Sequence, residues 1–134
     1  MNPLDFLDLA EKLEFSTSEA EMRTAISRAY YAVYNYIKAD LVGVDEYLQH
    51  DILINCIIET KIERFEYLGK DIRDLMAARR RADYKLGVSF SSKTCETIIN
   101  KSKNVIREFD ECKKFGLIEE ARNYLKKFGY IKFL

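Results

Sequence analysis

Between Cys95 and Cys112 the inward positions recur in steps of three and four: Cys95, Ile98, Ile99, Ser102, Val105, Ile106, Phe109 and Cys112. A helix turns once per about 3.6 residues, so this spacing gathers all eight on one side. Five helical turns of unbroken seam need a covering surface of comparable length. No stretch of the chain alternates apolar and polar residues with the period of two that a half-buried strand requires. The cover must therefore come from other helices. One proline and five glycines among 134 residues leave room for long helices joined by short connections.

The remaining segments supply those helices. Asn2 as cap and Pro3 at the first helical position open a short one through Leu4, Leu7, Leu9, Ala10 and Leu13. Ser18 with Glu21 forms a capping box and starts a second, expected from Glu19 to about Leu41. Its core stripe is Met22, Ile26, Ala29, Tyr30, Val33 and Ile37, with Ala25 and Ala32 small enough for close approach. A third is expected from Asp45 to about Phe65, and Tyr67-Leu68-Gly69 reads as the turn into a fourth that ends near Leu86. Ser91 or Ser92 caps the fifth; after Gly116, residues Leu117 to Phe128 make a short sixth. The expected fold is all-α: an antiparallel up-and-down bundle of four to five main helices plus a short C-terminal helix. Residues 1–134 form one domain, with a core over about 5–115 and residues 116–134 as C-terminal helix and docking tail.

Charge and cysteine usage narrow the function. Lys and Arg number 22 and so do Asp and Glu, so no global field favours nucleic acid or an anionic membrane. Cys56, Cys95 and Cys112 are odd in number and lie in apolar helical register, which reads as reduced core residues. There is no CxxC and one histidine, His50, so neither a metal site nor a cofactor is expected. The N-terminus lacks a basic start followed by an apolar run, and no stretch approaches the roughly 20 apolar residues of a membrane span. A cytoplasmic protein without a membrane partner is the expectation.

One stretch breaks the pattern. In the fourth helix Ile72, Leu75, Met76, Ala82 and Leu86 share a side, and Arg79 and Asp83, one turn apart, point to that same side. Burying an unpaired charge costs several kcal/mol or more, so a helix that merely needed solubility would turn these outward. Either the pair is a structural ion pair at a bundle edge, or it lines a polar cleft or subunit seam. Arg28, Tyr31 and Asn35, three and four residues apart on the second helix, are either a solvated face or the wall of a groove.

Two segments resemble a known family. Ser27-Arg28-Ala29-Tyr30-Tyr31-Ala32 is similar to the Ser-Arg-Ala-Tyr-Tyr-Ala signature of HEPN domains. Leu75 to Tyr84, with Arg79, Ala82, Asp83 and Tyr84 in place, resembles their later Leu-x-x-x-Arg-x-x-Ala-Asp-Tyr signature. His50 stands where this branch often carries a histidine. The resemblance covers roughly Asp5 to Phe115 and implies a helical bundle, commonly a homodimer with a cleft around the arginine motif. It also implies that Arg28 and Tyr31 face that cleft.

Many such domains are metal-independent ribonucleases of toxin–antitoxin and defence systems, with a histidine four to six residues after the motif arginine. Others bind nucleotides or RNA, or assist a nucleotidyltransferase. Here Asp83 follows Arg79 by four and no histidine follows at all. Arg79 can hold a phosphate bidentately, whereas Asp83 beside it would repel one and make a poor acid. The first expectation is a dimeric module binding nucleotide, RNA or a partner protein (a nucleotidyltransferase or an antitoxin) through Arg28, Tyr31, His50, Arg79, Asp83 and Tyr84. The alternative is a noncanonical metal-independent ribonuclease with Arg79, Asp83 and Tyr84 as candidate catalytic residues. A third reading confines the Arg79–Asp83 pair to fixing dimer register.

Overall fold

The computed structural model describes residues 1–131, and its elements there are all helical. They are α1 (Leu4–Leu13), α2 (Glu19–Leu41), α3 (His50–Ile58), α4 (Glu63–Tyr84), α5 (Ser92–Lys113) and α6 (Leu117–Lys127). Caps set several boundaries. The Ser18 hydroxyl accepts from the Glu21 amide at 3.3 Å, and the Ser91 hydroxyl accepts from the Thr94 amide at 3.1 Å. Asn2 accepts from the Leu4 amide at 3.0 Å. Gly43 and Gly116, at φ 122° and 89°, provide the left-handed backbone that stops α2 and separates α5 from α6.

The long helix α2 is the centre of the bundle, packed against α1, α4 and α5. Ala25, Ala29 and Ala32 are wholly buried along it, so neighbouring backbones come close. Side-chain partners fix the directions. Residues 23, 27 and 30 of α2 meet 82, 83 and 79 of α4, so these two helices run antiparallel. Met22 meets Cys95, Tyr36 meets Asp110 and Asp40 meets Lys113, so α2 and α5 run parallel. Lys101 pairs with Asp74 and Glu108 with Arg64, which sets α5 antiparallel to α4. The all-α bundle is the expected one. Cys56, Cys95 and Cys112 are free and buried within it. Among the described residues no helix is long and apolar enough to cross a membrane.

The third and fourth helices depart from expectation. The turn falls at residues 59–62, not at 67–69. It contains neither Gly nor Pro: the Thr60 hydroxyl donates to the Ile57 carbonyl at 2.8 Å, and Lys61 takes the left-handed conformation at φ 60°. Local side-chain bonding of this kind competes with helix continuation. Gly69 lies inside α4 and serves packing: a Cβ there would stand 2.5 Å from Ile58 Cγ1 and 3.2 Å from the Ile58 amide nitrogen. Leu86 lies beyond the end of α4 and is exposed, as is Phe128 beyond α6. Of the expected docking tail, Ile131 packs on the core; residues 132–134 lie outside the described residues.

Candidate functional site

The face of α2 that meets α4 carries Ser27, Tyr30, Tyr31 and Tyr34, a single stripe at helical spacing. Opposite lie Arg79 and Asp83. Arg79 is buried, 7% exposed, and its guanidinium sits 5.5 Å from the centre of the Tyr30 ring, 5.6 Å from Tyr31 and 6.0 Å from Tyr84. Three aromatic faces around one cation offset part of its desolvation. Hydrogen bonding is sparse by comparison. Nη1 reaches Asp83 Oδ2 at 3.5 Å, the long limit of such a contact, and Nε is buried with no partner among the described residues. The same Oδ2 accepts from the Ser27 hydroxyl at 3.3 Å.

His50 enters from a third element. It is the first residue of α3, and its Nδ1 lies 2.6 Å from the Tyr30 hydroxyl. Its ring stacks on Tyr34 with centroids 4.0 Å apart and meets the edge of Tyr31 at 5.9 Å. Burial lowers the His50 pKa, and the positive charges of Arg79 and Arg80 lower it further against the opposing Asp51. Burial likewise raises the Tyr30 pKa, with Arg79 opposing, so this phenol stays protonated. The result is a neutral Tyr30–His50 hydrogen bond beside a buried cation. Tyr34 closes this end, its hydroxyl donating to the Leu48 carbonyl.

Of the residues singled out in the sequence, Arg79, Asp83, Tyr84, Tyr31 and His50 come together around this point. Arg28 stands one step away: its guanidinium covers Tyr31 at 5.3 Å and Phe6 at 5.7 Å. Tyr31 thus lies against two arginines, and Arg28 is half-buried. Tyr30, Tyr34 and Ser27 escaped the sequence reading, which assigned Tyr30 to the core. One signal was available: a tyrosine in a core register needs a partner for its hydroxyl. A surface depression of about 670 Å³ between α4 and α5 lies away from this cluster. Its Lys101 and Glu108 are already paired, with Asp74 and Arg64, so it offers a ligand little unmet chemistry.

A family model for the HEPN domain matches residues 4–112. This chain belongs to the HEPN domain family. Comparison with curated proteins and with solved structures returned no match. The matched span holds α1 to α4 and nearly all of α5, and therefore the whole Arg79 cluster; α6 lies beyond it. HEPN domains have nucleotide- or RNA-related functions and commonly dimerise. In this HEPN domain the position four after the motif arginine is Asp83, and His50 of α3 is hydrogen-bonded to Tyr30, whose ring lies against the arginine. Among the described residues no group of three or more His, Cys, Asp or Glu is arranged to hold a metal ion.

Proposed function

We propose that this protein is a dimeric HEPN module that binds nucleotide or RNA at the groove around Arg79, with a toxin–antitoxin or defence role beside a nucleotidyltransferase or antitoxin partner. The observation that carries the reading is the under-satisfied guanidinium. A group with five N–H donors is buried against tyrosine rings, and its one ion pair, to Asp83, is long at 3.5 Å. Burial at that cost without full pairing favours a site that receives an acceptor from elsewhere. Arg28 and Tyr31 extend the groove on the α2 side, and Tyr84, 71% exposed, extends it towards solvent.

Arg79→Met keeps the length and packing of the side chain and removes the charge. Replacing a buried ion by an apolar residue of similar volume is often neutral or stabilising, and Asp83 is solvated enough to stand alone. Titration of mononucleotides and short single-stranded RNA should show binding to wild type and none to the variant, with the fold kept. Equal affinity for both proteins refutes the reading. Loss of dimerisation in the variant with ligand binding intact would assign the pair to dimer register.

A second reading, a metal-independent ribonuclease, is favoured by His50 alone. Its imidazole is joined to the Arg79 cluster through Tyr30, and in the tautomer whose Nδ1–H donates to the Tyr30 oxygen, Nε2 is free to accept a proton. RNA cleavage in EDTA by wild type, abolished in both Arg79→Met and His50→Gln, would establish that reading over simple binding.

A further inference from the structure

Arg79 and Asp83 cancel each other's charge, and this bears on which part of a nucleotide they would meet. Arg80 is paired with Asp51 at 3.7 Å, and His50 is held towards its neutral form by burial. A phosphate dianion arriving at Arg79 would find a carboxylate beside the one buried cation among the described residues. The pair instead offers both hydrogen-bonding signs side by side. Nη1 and Oδ2 face each other, while Arg79 Nη2 and Asp83 Oδ1 have no partner among the described residues. Asp83 keeps 28% of its side chain accessible. The ring of Tyr84 lies over the same guanidinium, 6.0 Å away, and is 71% exposed.

We infer that this edge reads a nucleobase, and guanine in particular, rather than a phosphate; the inference rests on the nucleotide- or RNA-binding reading above. A neutral heteroaromatic edge with an acceptor next to donors complements a guanidinium next to a carboxylate. Every base offers one of each. Guanine alone offers O6 to the arginine and two adjacent donors, N1–H and N2–H, to the carboxylate. Bonds to charged partners are the strong ones, so three against two favours guanine over adenine, cytosine and uracil. Tyr84 provides an exposed aromatic face on which a base can stack. Asp83, a liability for phosphate binding, becomes the residue that sets base preference.

The test measures wild-type protein by calorimetric titration against GMP, IMP, AMP and inorganic phosphate, and against oligouridylate with and without one central guanosine. GMP should bind about tenfold or more tighter than AMP, with IMP, which lacks the 2-amino group, in between. The isosteric Asp83→Asn should level GMP and AMP. A guanine preference confined to the oligonucleotide points to an RNA strand, and one shared by GMP points to a free nucleotide; either supports the inference. Equal affinity for GMP and AMP together with no gain from the central guanosine of the oligonucleotide, or tighter binding of all nucleotides by Asp83→Asn, would overturn it and leave nucleotide binding standing. Failure of every nucleotide and oligonucleotide to bind would overturn both.

Discussion

Arg23 should hold the end of α4 in place, and Arg23→Ala tests this. The side chain is 12% exposed and its guanidinium fans out over the C-terminus of α4 and the chain that follows. Nη1 donates to the carbonyls of Ala82 at 2.9 Å, Lys85 at 3.1 Å and Arg81 at 3.3 Å. Nη2 donates to Glu19 at 3.1 Å, to the Leu86 carbonyl at 3.4 Å and to the Val88 carbonyl. The last carbonyls of a helix have no partner within it, and a cation there also complements the helix dipole, an effect of up to about 2 kcal/mol when partly buried. Each hydrogen bond from a charged donor contributes about 1.5–3 kcal/mol net. The sum overshoots, because most of these carbonyls return to water once the clamp is gone. A loss of about 2–4 kcal/mol remains.

For a domain of this size that corresponds to a fall in melting temperature of about 10 °C, read by circular dichroism. Arg23→Lys retains the charge and loses the planar fork, so it should recover only a minor part. Amide exchange should quicken at residues 84–90 before the rest of the bundle opens. A melting shift under about 2 °C for Arg23→Ala, or a lysine variant as stable as wild type, would refute the clamp.

Three shorter predictions concern the rest of the bundle. Gly69→Ala should destabilise by about 1–2 kcal/mol in urea denaturation, because overpacking against the Ile58 backbone outweighs the better helix propensity of alanine; a stabilised variant would refute the close approach. His50 binds a proton less readily in the folded than in the unfolded chain, so stability should fall as pH drops through about 6.5 and level off once the folded imidazole is itself protonated. His50→Gln should flatten that part of the melting-temperature profile, and an unchanged slope would contradict it. Burial pushes the thiols of Cys56, Cys95 and Cys112 up to about 12, 11 and 11, so none should react with a disulfide reagent at pH 8 until guanidinium unfolds the chain; rapid native labelling would count against the buried placement.

The bundle was legible because its signals are local. The α5 seam repeats turn by turn along a single helix, and the Ser18 and Ser91 caps and the Gly43 and Gly116 stops each act within one turn of chain. The α3–α4 boundary was not, because its two cues conflict with the usual reading of composition. A glycine, Gly69, serves helix contact inside α4, and a lysine, Lys61, takes the left-handed conformation normally left to glycine. The site divides along the same line. Arg79 and Asp83 share a helix, so their misfit on an apolar face could be seen in one segment. The Tyr30–His50 bond and the stacking of His50 on Tyr34 join α2 to α3, and no spacing along the chain encodes that.

That joint depends in part on α6, which contributes nothing to the groove. With nine residues α3 is too short to hold its helical form by itself, so packing must supply its stability. One side rests on α4 through the Gly69–Ile58 contact, and the other on α6, which lies outside the family match. α6 is fastened by buried Leu117, Ala121 and Leu125, and Arg122 donates to the carbonyls of Leu41 and Asp40 at 3.0 Å each, at the end of α2. Arg122 therefore does for α2 what Arg23 does for α4. The helices that carry the tyrosine stripe and Arg79 are each closed at their C-termini by an arginine borrowed from another helix. The imidazole between them keeps its place because the appended helix braces the short one that bears it.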